Sequence, residues 1–281
     1  MQHIVILGYP LSHSISPVFQ QAALDYHRIK ARYSARPTPP ESLAEEVAML
    51  RGAEYLGANV TIPHKESVRA FLDGVDELAA EIGAVNTIVK SGDKILGRNT
   101  DATGLLRALR ETGGFDPAGK SVVLLGAGGA ARAAAFGLAK SKVSAITIAN
   151  RTVARARALA DEVAHLNIRV DTVPMEGPAL ASACAGADLV VNSTSIGMKG
   201  GPAQGESPLK IGLLSSRNLV YDMVYNPSET PLMSEARRAG AQALGGLSML
   251  VFQGAAAFEM WTGKSAPVDV MFKAAERAMK A

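Results

Sequence analysis

The stretch SVVLLGAGGAAR, Ser121 to Arg132, decides the fold. Ser121 to Leu125 is a continuous apolar run, the pattern of a strand buried on both faces of a parallel sheet. Gly126-Ala127-Gly128-Gly129-Ala130-Ala131 follows it and opens an alanine-rich helix that the spacing carries to Lys140. The order is Gly-x-Gly-x-x-Ala. Gly126 permits a tight turn, Gly128 lets a pyrophosphate approach the backbone, and Ala131 allows helix and strand to pack closely. Free amides and the helix dipole then face the phosphates. A lone glycine pattern would equally suit an incidental turn. With a strand before it and a helix and a further strand after it, the pattern favours a dinucleotide site.

That further strand, Ala145 to Ala149, ends at Asn150-Arg151-Thr152. In this architecture a carboxylate at such a corner accepts the ribose hydroxyls of NAD, whereas an arginine accommodates the 2′-phosphate of NADP. No acid stands here. Arg151 and Arg155, one helical turn apart, can fork around a dianion. A solvated basic helix start is the alternative, but cations there oppose the helix dipole. The corner reads as NADP.

Outward from this centre, helix and strand alternate. Toward the C-terminus the pattern predicts a helix over Val153–His165 and a strand over Ile168–Val173. A helix through Leu180 and strands over Asp188–Val191 and Asn218–Tyr221 follow. Strands spaced by helices in this way imply βαβ units with right-handed crossovers. Toward the N-terminus it predicts strands over His3–Leu7, Arg32–Ala35, Leu56–Ile62, Ala84–Val89 and Ile95–Gly97. Helices are expected over Pro17–Tyr26, Glu41–Leu50, Lys65–Leu72 and Glu77–Ile82, with a hairpin turn at Ser91–Lys94.

Composition agrees with a globular α/β chain. The 281 residues are 48% hydrophobic and 20% charged, which excludes disordered, collagen-like and disulfide-scaffold classes. At about 150 residues per domain the length suggests two domains or one large one. Lys and Arg exceed Asp and Glu by 29 to 26, a surplus without the basic block that nucleic-acid binders use, and a basic pocket for a small anion accounts for it equally well. Cys184 is the only cysteine, and its small-residue surroundings read as a packed bystander. No stretch approaches the 18 apolar residues of a membrane span, and residues 1–14 lack the positive n-region of a signal peptide. The expectation is a cytoplasmic chain with no membrane or nucleic-acid partner.

Several further segments place polar side chains at strand ends, where open α/β sheets bind ligands. They are NVTIPHK (59–65), GAVNT (83–87) and GRNTD (97–101). Ser12, Ser14 and Ser16, before the helix opened by Pro17, make a carboxylate site from hydroxyls and free amides. His13 and His64 flank these segments without metal-ligand spacing, and no metal is expected.

In order along the chain, SHSISP, NVTIPHK, GAVNT, GRNTD, GAGGAARA, NRT, NSTSIGM, DMVYNPSETPL and GGLSMLVFQGAAAFEMW resemble the shikimate dehydrogenase family. The match covers nearly the whole chain, and nine motifs in the family's order are specific. The resemblance implies reversible reduction of 3-dehydroshikimate to shikimate with NADPH, in the pathway to aromatic amino acids. By position, it implies that Ser14 and Ser16 hold the substrate carboxylate and that Thr61, Lys65, Asn86 and Asp101 surround its hydroxyls. Tyr225 matches a contact near the carboxylate and Gln253 one near a ring hydroxyl. Gly126, Ala127, Gly128, Gly129 and Ala130, with Asn150, Arg151, Thr152 and Arg155, match the NADP cradle. Met223, Gly246 and the Thr194–Ser195 turn match positions beside the nicotinamide, and Glu77 stands where some members carry an acid close to the cofactor.

Ketone reduction grows negative charge on oxygen, so a donor must stabilise that charge and deliver a proton. Lys65 paired with Asp101 meets both needs, and in oxidation the lysine accepts the hydroxyl proton. Either residue alone has a plain alternative: a solvated lysine at a helix start, or Asp101 as the N-cap of a helix over Ala102–Leu109. In the helix Met249–Trp261, the stripe Met249, Phe252, Ala256, Met260 reads mostly as core, with Gln253 the polar exception.

The expected architecture is two α/β domains. Residues 1–105, joined by C-terminal helices 247–281, form a substrate domain, and 106–246 a Rossmann-like NADP domain, with an active-site cleft between them. Three other readings stay open: an NAD-using quinate/shikimate enzyme, a binding-only paralogue, and a basic nucleic-acid binder. The small-molecule enzyme is expected as a monomer or homodimer.

Overall fold

A computed structural model describes residues 1–11 and 14–280. The chain divides into two compact units, Met1–Gly104 with Val251–Ala281, and Leu105–Leu250.

The first unit begins with β1 (Gln2–Gly8), α1 (Ser16–Tyr26), β2 (Ala31–Pro37), α2 (Leu43–Met49) and β3 (Tyr55–Val60). There follow β4 (Gly74–Val75), α3 (Glu77–Ile82), β5 (Thr87–Ser91), β6 (Lys94–Arg98) and α4 (Asp101–Arg107). The six strands form one sheet in the order β2-β1-β3-β5-β6-β4. Its heart is β1, whose residues Ile4 to Leu7 are all buried, as the β-branched run requires. Val5 and Leu7 join Leu43, Val47, Leu50, Val60 and Ile88 in one core cluster.

Pairing is parallel from β2 through β1 to β3, then antiparallel from β3 to β5 and from β5 to β6. The second of these antiparallel pairs is a hairpin joining β5 to β6 through Gly92 and Asp93, with Gly92 at φ +61°, where a side chain would be strained. The helix expected over Lys65–Leu72 does not form. Thr61 to Lys65 turn sharply, with the His64 amide donating to the Thr61 carbonyl, and only a short 3-10 stretch, Ser67–Phe71, follows. Val68 is the one buried residue of that stretch, so no apolar face exists to hold an α-helix against the sheet.

The second unit runs β7 (Ser121–Leu125), α5 (Gly129–Lys140), β8 (Ala145–Ala149), α6 (Val153–Val163), β9 (Arg169–Val173) and α7 (Pro178–Gly186). It continues with β10 (Leu189–Asn192), β11 (Leu219–Asp222), α8 (Pro231–Arg238) and β12 (Gln242–Gly245). All six strands are parallel, in the order β12-β11-β10-β7-β8-β9. Counted from β7 as the first strand, this is 3-2-1-4-5-6, the doubly wound order, whose direction of winding switches between β7 and β10. Cys184 is fully buried in the core with Leu180, Val190 and Leu232, and burial pushes its thiol up to about 11.

The chain ends in α9 (Leu247–Thr262) and α10 (Val268–Lys280). The buried face of α9 differs from the expected stripe. Met249 and Phe252 are buried, but Ala256 is only partly so and Met260 is 47% exposed. Val251, Ala255, Phe258 and Trp261 complete the buried face instead. Two polar anchors set this rotation: the Trp261 indole donates to the Ile88 carbonyl at 2.9 Å, and the buried Gln20 amide of α1 donates to the Gly254 carbonyl at 2.9 Å.

Candidate active site and cofactor cradle

Strand direction builds the site in the first unit. Asn86 was expected at a strand end; it lies instead just before β5, because the strand starts at Thr87. Since β5 runs antiparallel to both neighbours, its first residue pairs with Asn59 near the end of β3 and with Arg98 at the end of β6. The residues that leave β3, enter β5 and leave β6 therefore meet at one sheet edge. Thr61 follows β3 directly, and its amide donates to the Leu7 carbonyl at 2.9 Å. Ser14 and Ser16 follow β1, the other neighbour of β3, Ser14 half-buried and Ser16 buried. Ser12 and His13 lie outside the described residues.

At this edge the Lys65 ammonium donates to Asp101 Oδ2 at 2.6 Å, with side-chain exposures of 18% and 7%. The other oxygen, Oδ1, accepts from Asn86 Nδ2 at 2.8 Å. Both carboxylate oxygens are thus engaged in pairing rather than in capping α4. Asn86 is oriented by a donor that cannot reverse: the Thr100 backbone amide donates to Asn86 Oδ1 at 2.8 Å, so Nδ2 must face the carboxylate. Nδ2 also donates to Thr100 Oγ1 at 2.8 Å and, more distantly, to Gln253 Oε1 at 3.3 Å, which brings α9 into the same network. Asn99 holds the Asp101 amide at 3.0 Å and ties itself to the Ala84 carbonyl at 2.9 Å.

Behind these lies a second row. The Tyr33 hydroxyl donates to Asn59 Oδ1 at 2.7 Å, and Asn59 Nδ2 donates to the Asn86 carbonyl at 3.1 Å. His64 is buried, with a ring nitrogen 2.7 Å from the Thr38 carbonyl, which fixes the residue before Lys65. A charge-assisted pair in such a place depends on further hydrogen bonds to its carboxylate, and Asn86 supplies one here. Lys65, Asp101, Asn86 and Gln253, far apart in sequence, are brought together. Tyr225 belongs to the second unit, half-buried, with burial raising its phenol; Glu77 is exposed at the first position of α3.

In the second unit, Gly126 closes β7 at φ +110°, and a Cβ there would meet Ser193 Oγ at 2.6 Å. That approach is real: Ser193 donates both its amide and its hydroxyl to the Leu125 carbonyl. Gly128 is the N-cap of α5, and a Cβ on it would find nothing within 4 Å. Open space at the mouth of a helix is what a phosphate needs. Asn150 steadies the corner by donating to the Thr152 carbonyl at 2.9 Å. Arg151 and Arg155 are exposed, and neither guanidinium has a partner among the described residues. The neighbouring Arg132, by contrast, is paired with Glu162. A turn of this shape with two free guanidiniums beside it fits a phosphorylated dinucleotide.

Thr194 and Ser195 follow β10, Met223 follows β11, and Gly246 follows β12, so all four stand at the carboxyl ends of the parallel strands. Gly246 has no room for a side chain, because a Cβ would fall 2.1 Å from the Met223 carbonyl oxygen. Tyr33 and Asp222 are not singled out by the sequence, and Asn59, Asn99 and Thr100 only as members of the NVTIPHK and GRNTD segments. Buried polar side chains at strand ends were the available signal.

A doubly wound parallel sheet with a glycine-rich first turn, together with a separate unit presenting a lysine–carboxylate pair, is the make-up of nucleotide-dependent oxidoreductases of α/β type. Three family models match in order: the shikimate dehydrogenase substrate binding domain over residues 6–88, shikimate/quinate 5-dehydrogenase over 108–198, and the shikimate 5′-dehydrogenase C-terminal domain over 246–276. A shikimate dehydrogenase (NADP(+)) of Moorella thermoacetica is 46% identical over 99% of this chain and 94% of its own length. The crystal structure of shikimate 5-dehydrogenase from Thermus thermophilus, in complex with NADP(H) and shikimate, superposes with a TM-score of 0.88 at 38% identity, covering 99% of this chain and 100% of that one. That of Listeria monocytogenes, with shikimate and NAD, gives 0.90 at 33% identity over 97% and 96%. This chain belongs to the shikimate dehydrogenase family.

Proposed function

We infer that this protein catalyses the NADPH-dependent, reversible reduction of 3-dehydroshikimate to shikimate, in the pathway to chorismate and the aromatic amino acids. The observation that carries the mechanism is the 2.6 Å contact between Lys65 and Asp101. The nicotinamide, when bound, supplies the hydride in reduction and takes it up in oxidation.

The chain's own residues handle charge, protons and position. Lys65 donates a proton to the ketone oxygen as negative charge grows there, and accepts the hydroxyl proton in the reverse direction. Asp101 holds the ammonium, and Asn86 holds Asp101, so the pair is placed before substrate arrives. Ser14 and Ser16 take the substrate carboxylate, with Tyr225 as a further contact, while Thr61, Asn86 and Gln253 take hydroxyls. In this reading residues 1–105 with 247–281 bind the substrate, and 106–246 bind the cofactor. Gly126 to Ala130 cradle the pyrophosphate, while Asn150, Arg151, Thr152 and Arg155 hold the adenosine end. Thr194, Ser195, Met223 and Gly246 flank the nicotinamide, with Glu77 as an outlying cofactor contact. The setting is cytoplasmic; the single cysteine supports that, and no helix among the described residues is long and apolar enough to cross a membrane.

The test is absorbance at the NADPH band, with shikimate and quinate each offered with NADP and with NAD. Turnover is expected with shikimate and NADP. Faster turnover of quinate with NAD would overturn the assignment.

A further inference from the structure

Asp222 is fully buried at the last position of β11, where it makes no ion pair among the described residues. Its Oδ1 accepts from Asn192 Nδ2 at 2.9 Å and from the Val224 amide at 3.0 Å, and its Oδ2 accepts from the Thr230 hydroxyl at 2.6 Å. These donors come from three separate segments: the end of β10, the turn after β11, and the N-cap of α8. Burial raises the Asp222 carboxyl above the ordinary aspartate value, so this carboxylate sits where desolvation works against it.

What the carboxylate holds runs further. With its amide group committed to Asp222, Asn192 turns Oδ1 toward Thr194, accepting the backbone amide at 3.0 Å and the hydroxyl at 2.7 Å. The Met223 amide donates to the Asn192 carbonyl at 2.9 Å, and the Gly246 amide donates to the Val224 carbonyl at 3.1 Å. The ends of β10, β11 and β12 are therefore tied to one another through the segments that Asp222 grips.

We propose that Asp222 is a positioning residue for the nicotinamide end of the cofactor, aligning Thr194, Met223 and Gly246 without touching the cofactor itself. The proposal rests on the functional reading above, but it predicts a division within the cofactor that can be tested apart from turnover. Asp222→Asn removes an acceptor: its N–H must face the Asn192 amide, the Val224 amide or the Thr230 hydroxyl, and the hydroxyl, which already accepts from the Met233 amide, would lose the acceptor for its own proton. The nicotinamide end should loosen while the adenosine end, held by Arg151 and Arg155, does not.

The experiment compares NADPH with 2′-phospho-ADP-ribose, which lacks the nicotinamide, by equilibrium titration of wild type, Asp222→Asn, Thr230→Val and Thr230→Ser. In Asp222→Asn, NADPH affinity should fall by about tenfold, the scale of a hydrogen bond to a charged group, while affinity for the truncated ligand stays within about twofold. Thr230→Val should follow Asp222→Asn, and Thr230→Ser, which keeps the hydroxyl, should recover most of the loss. Equal loss for both ligands, or no loss for either, overturns the proposal. If Asp222→Asn fails to fold, the Thr230 pair decides by the same comparison. A wild type that binds NADPH but does not turn over shikimate would defeat the functional reading alone.

Discussion

At Lys65 the counter-charge is already in place, 2.6 Å away and largely withdrawn from water. At Arg151 and Arg155 the guanidiniums are exposed and without partners among the described residues. Both places are cationic and both are expected to meet an oxygen of a small molecule, yet they are built in opposite ways. An ammonium withdrawn from water needs an internal carboxylate, because desolvation would otherwise drive it neutral or leave it strongly unfavourable. An exposed guanidinium stays charged at almost no cost, and its planar fork fits a phosphate whenever one arrives. In the proposed function, the first arrangement fixes geometry ahead of chemistry, and the second supplies affinity and selects between cofactors.

The comparison breaks most visibly at its first member. Lys65→Ala should lower kcat by about 10³-fold, within the usual range for losing a general acid, with KM changing far less. A variant with wild-type turnover would remove the lysine from the mechanism. Asp101→Asn should cost nearly as much, since it strips the ammonium of its ion-pair partner. The double substitution should be little worse than either single one, because groups acting as a unit are not additive. Steady-state kinetics on the three variants, with circular dichroism to show that they fold, measures this.

At the second member the expected effect is smaller and selective. Arg151→Ala should weaken NADPH by about tenfold, a charge-assisted contact's worth, and leave NADH almost unchanged. Added salt should weaken NADPH binding to wild type more than to Arg151→Ala, because exposed charges are screened. Equal losses for the two cofactors would show that Arg151 does not read the 2′-phosphate.

How much of this was legible in sequence follows from which physics each residue answers to. Gly126 was readable because a φ of +110° and a serine hydroxyl at 2.6 Å leave glycine as the residue that fits. Arg151 stands out in the sequence because a cation set against its own helix dipole invites an anion, and in the fold its guanidinium is exposed and without a partner among the described residues. Asn86 was readable as polar and near the site, but not as the first step into a strand. Its placement depends on β5 running antiparallel to β3, a tertiary pairing that local spacing does not report. The helix expected from Lys65 failed for a similar reason: local spacing allowed it, but within Ser67–Phe71 only Val68 is buried. Asp222 was hidden inside a motif read for its neighbours Met223 and Tyr225, since one acid among strand residues does not reveal three donors from distant segments.

The glycine turn offers a backbone counterpart to these side-chain tests. Gly126→Ala should cost about 1–3 kcal/mol of stability from the strained conformation, and the clash with Ser193 should raise the Kd for both NADPH and NADH. Arg151→Ala discriminates between the cofactors and Gly126→Ala should not, which separates the phosphate that distinguishes them from the pyrophosphate they share. Ligand titrations with both cofactors, alongside thermal unfolding, check the pair.

The smallest effect concerns whether the lysine site stands on its own network or leans on the helix beside it. Trp261 is the only tryptophan in the chain, and its indole donates to the Ile88 carbonyl in β5, two residues beyond Asn86. Trp261→Phe keeps an aromatic ring in the core and removes that donor. The expected loss is about 1 kcal/mol, seen as a fall in Tm of about 2–4 °C for a chain of this size. Turnover should be unchanged, because Asn86 is held by the Thr100 amide and hydroxyl and through its carbonyl by Asn59, none of which involves Trp261. A fall in kcat with the modest fall in Tm would mean that α9 sets the register of β5. The contrast with the cofactor corner would then have to be redrawn, because the lysine site would owe its geometry to packing as well as to its own hydrogen bonds.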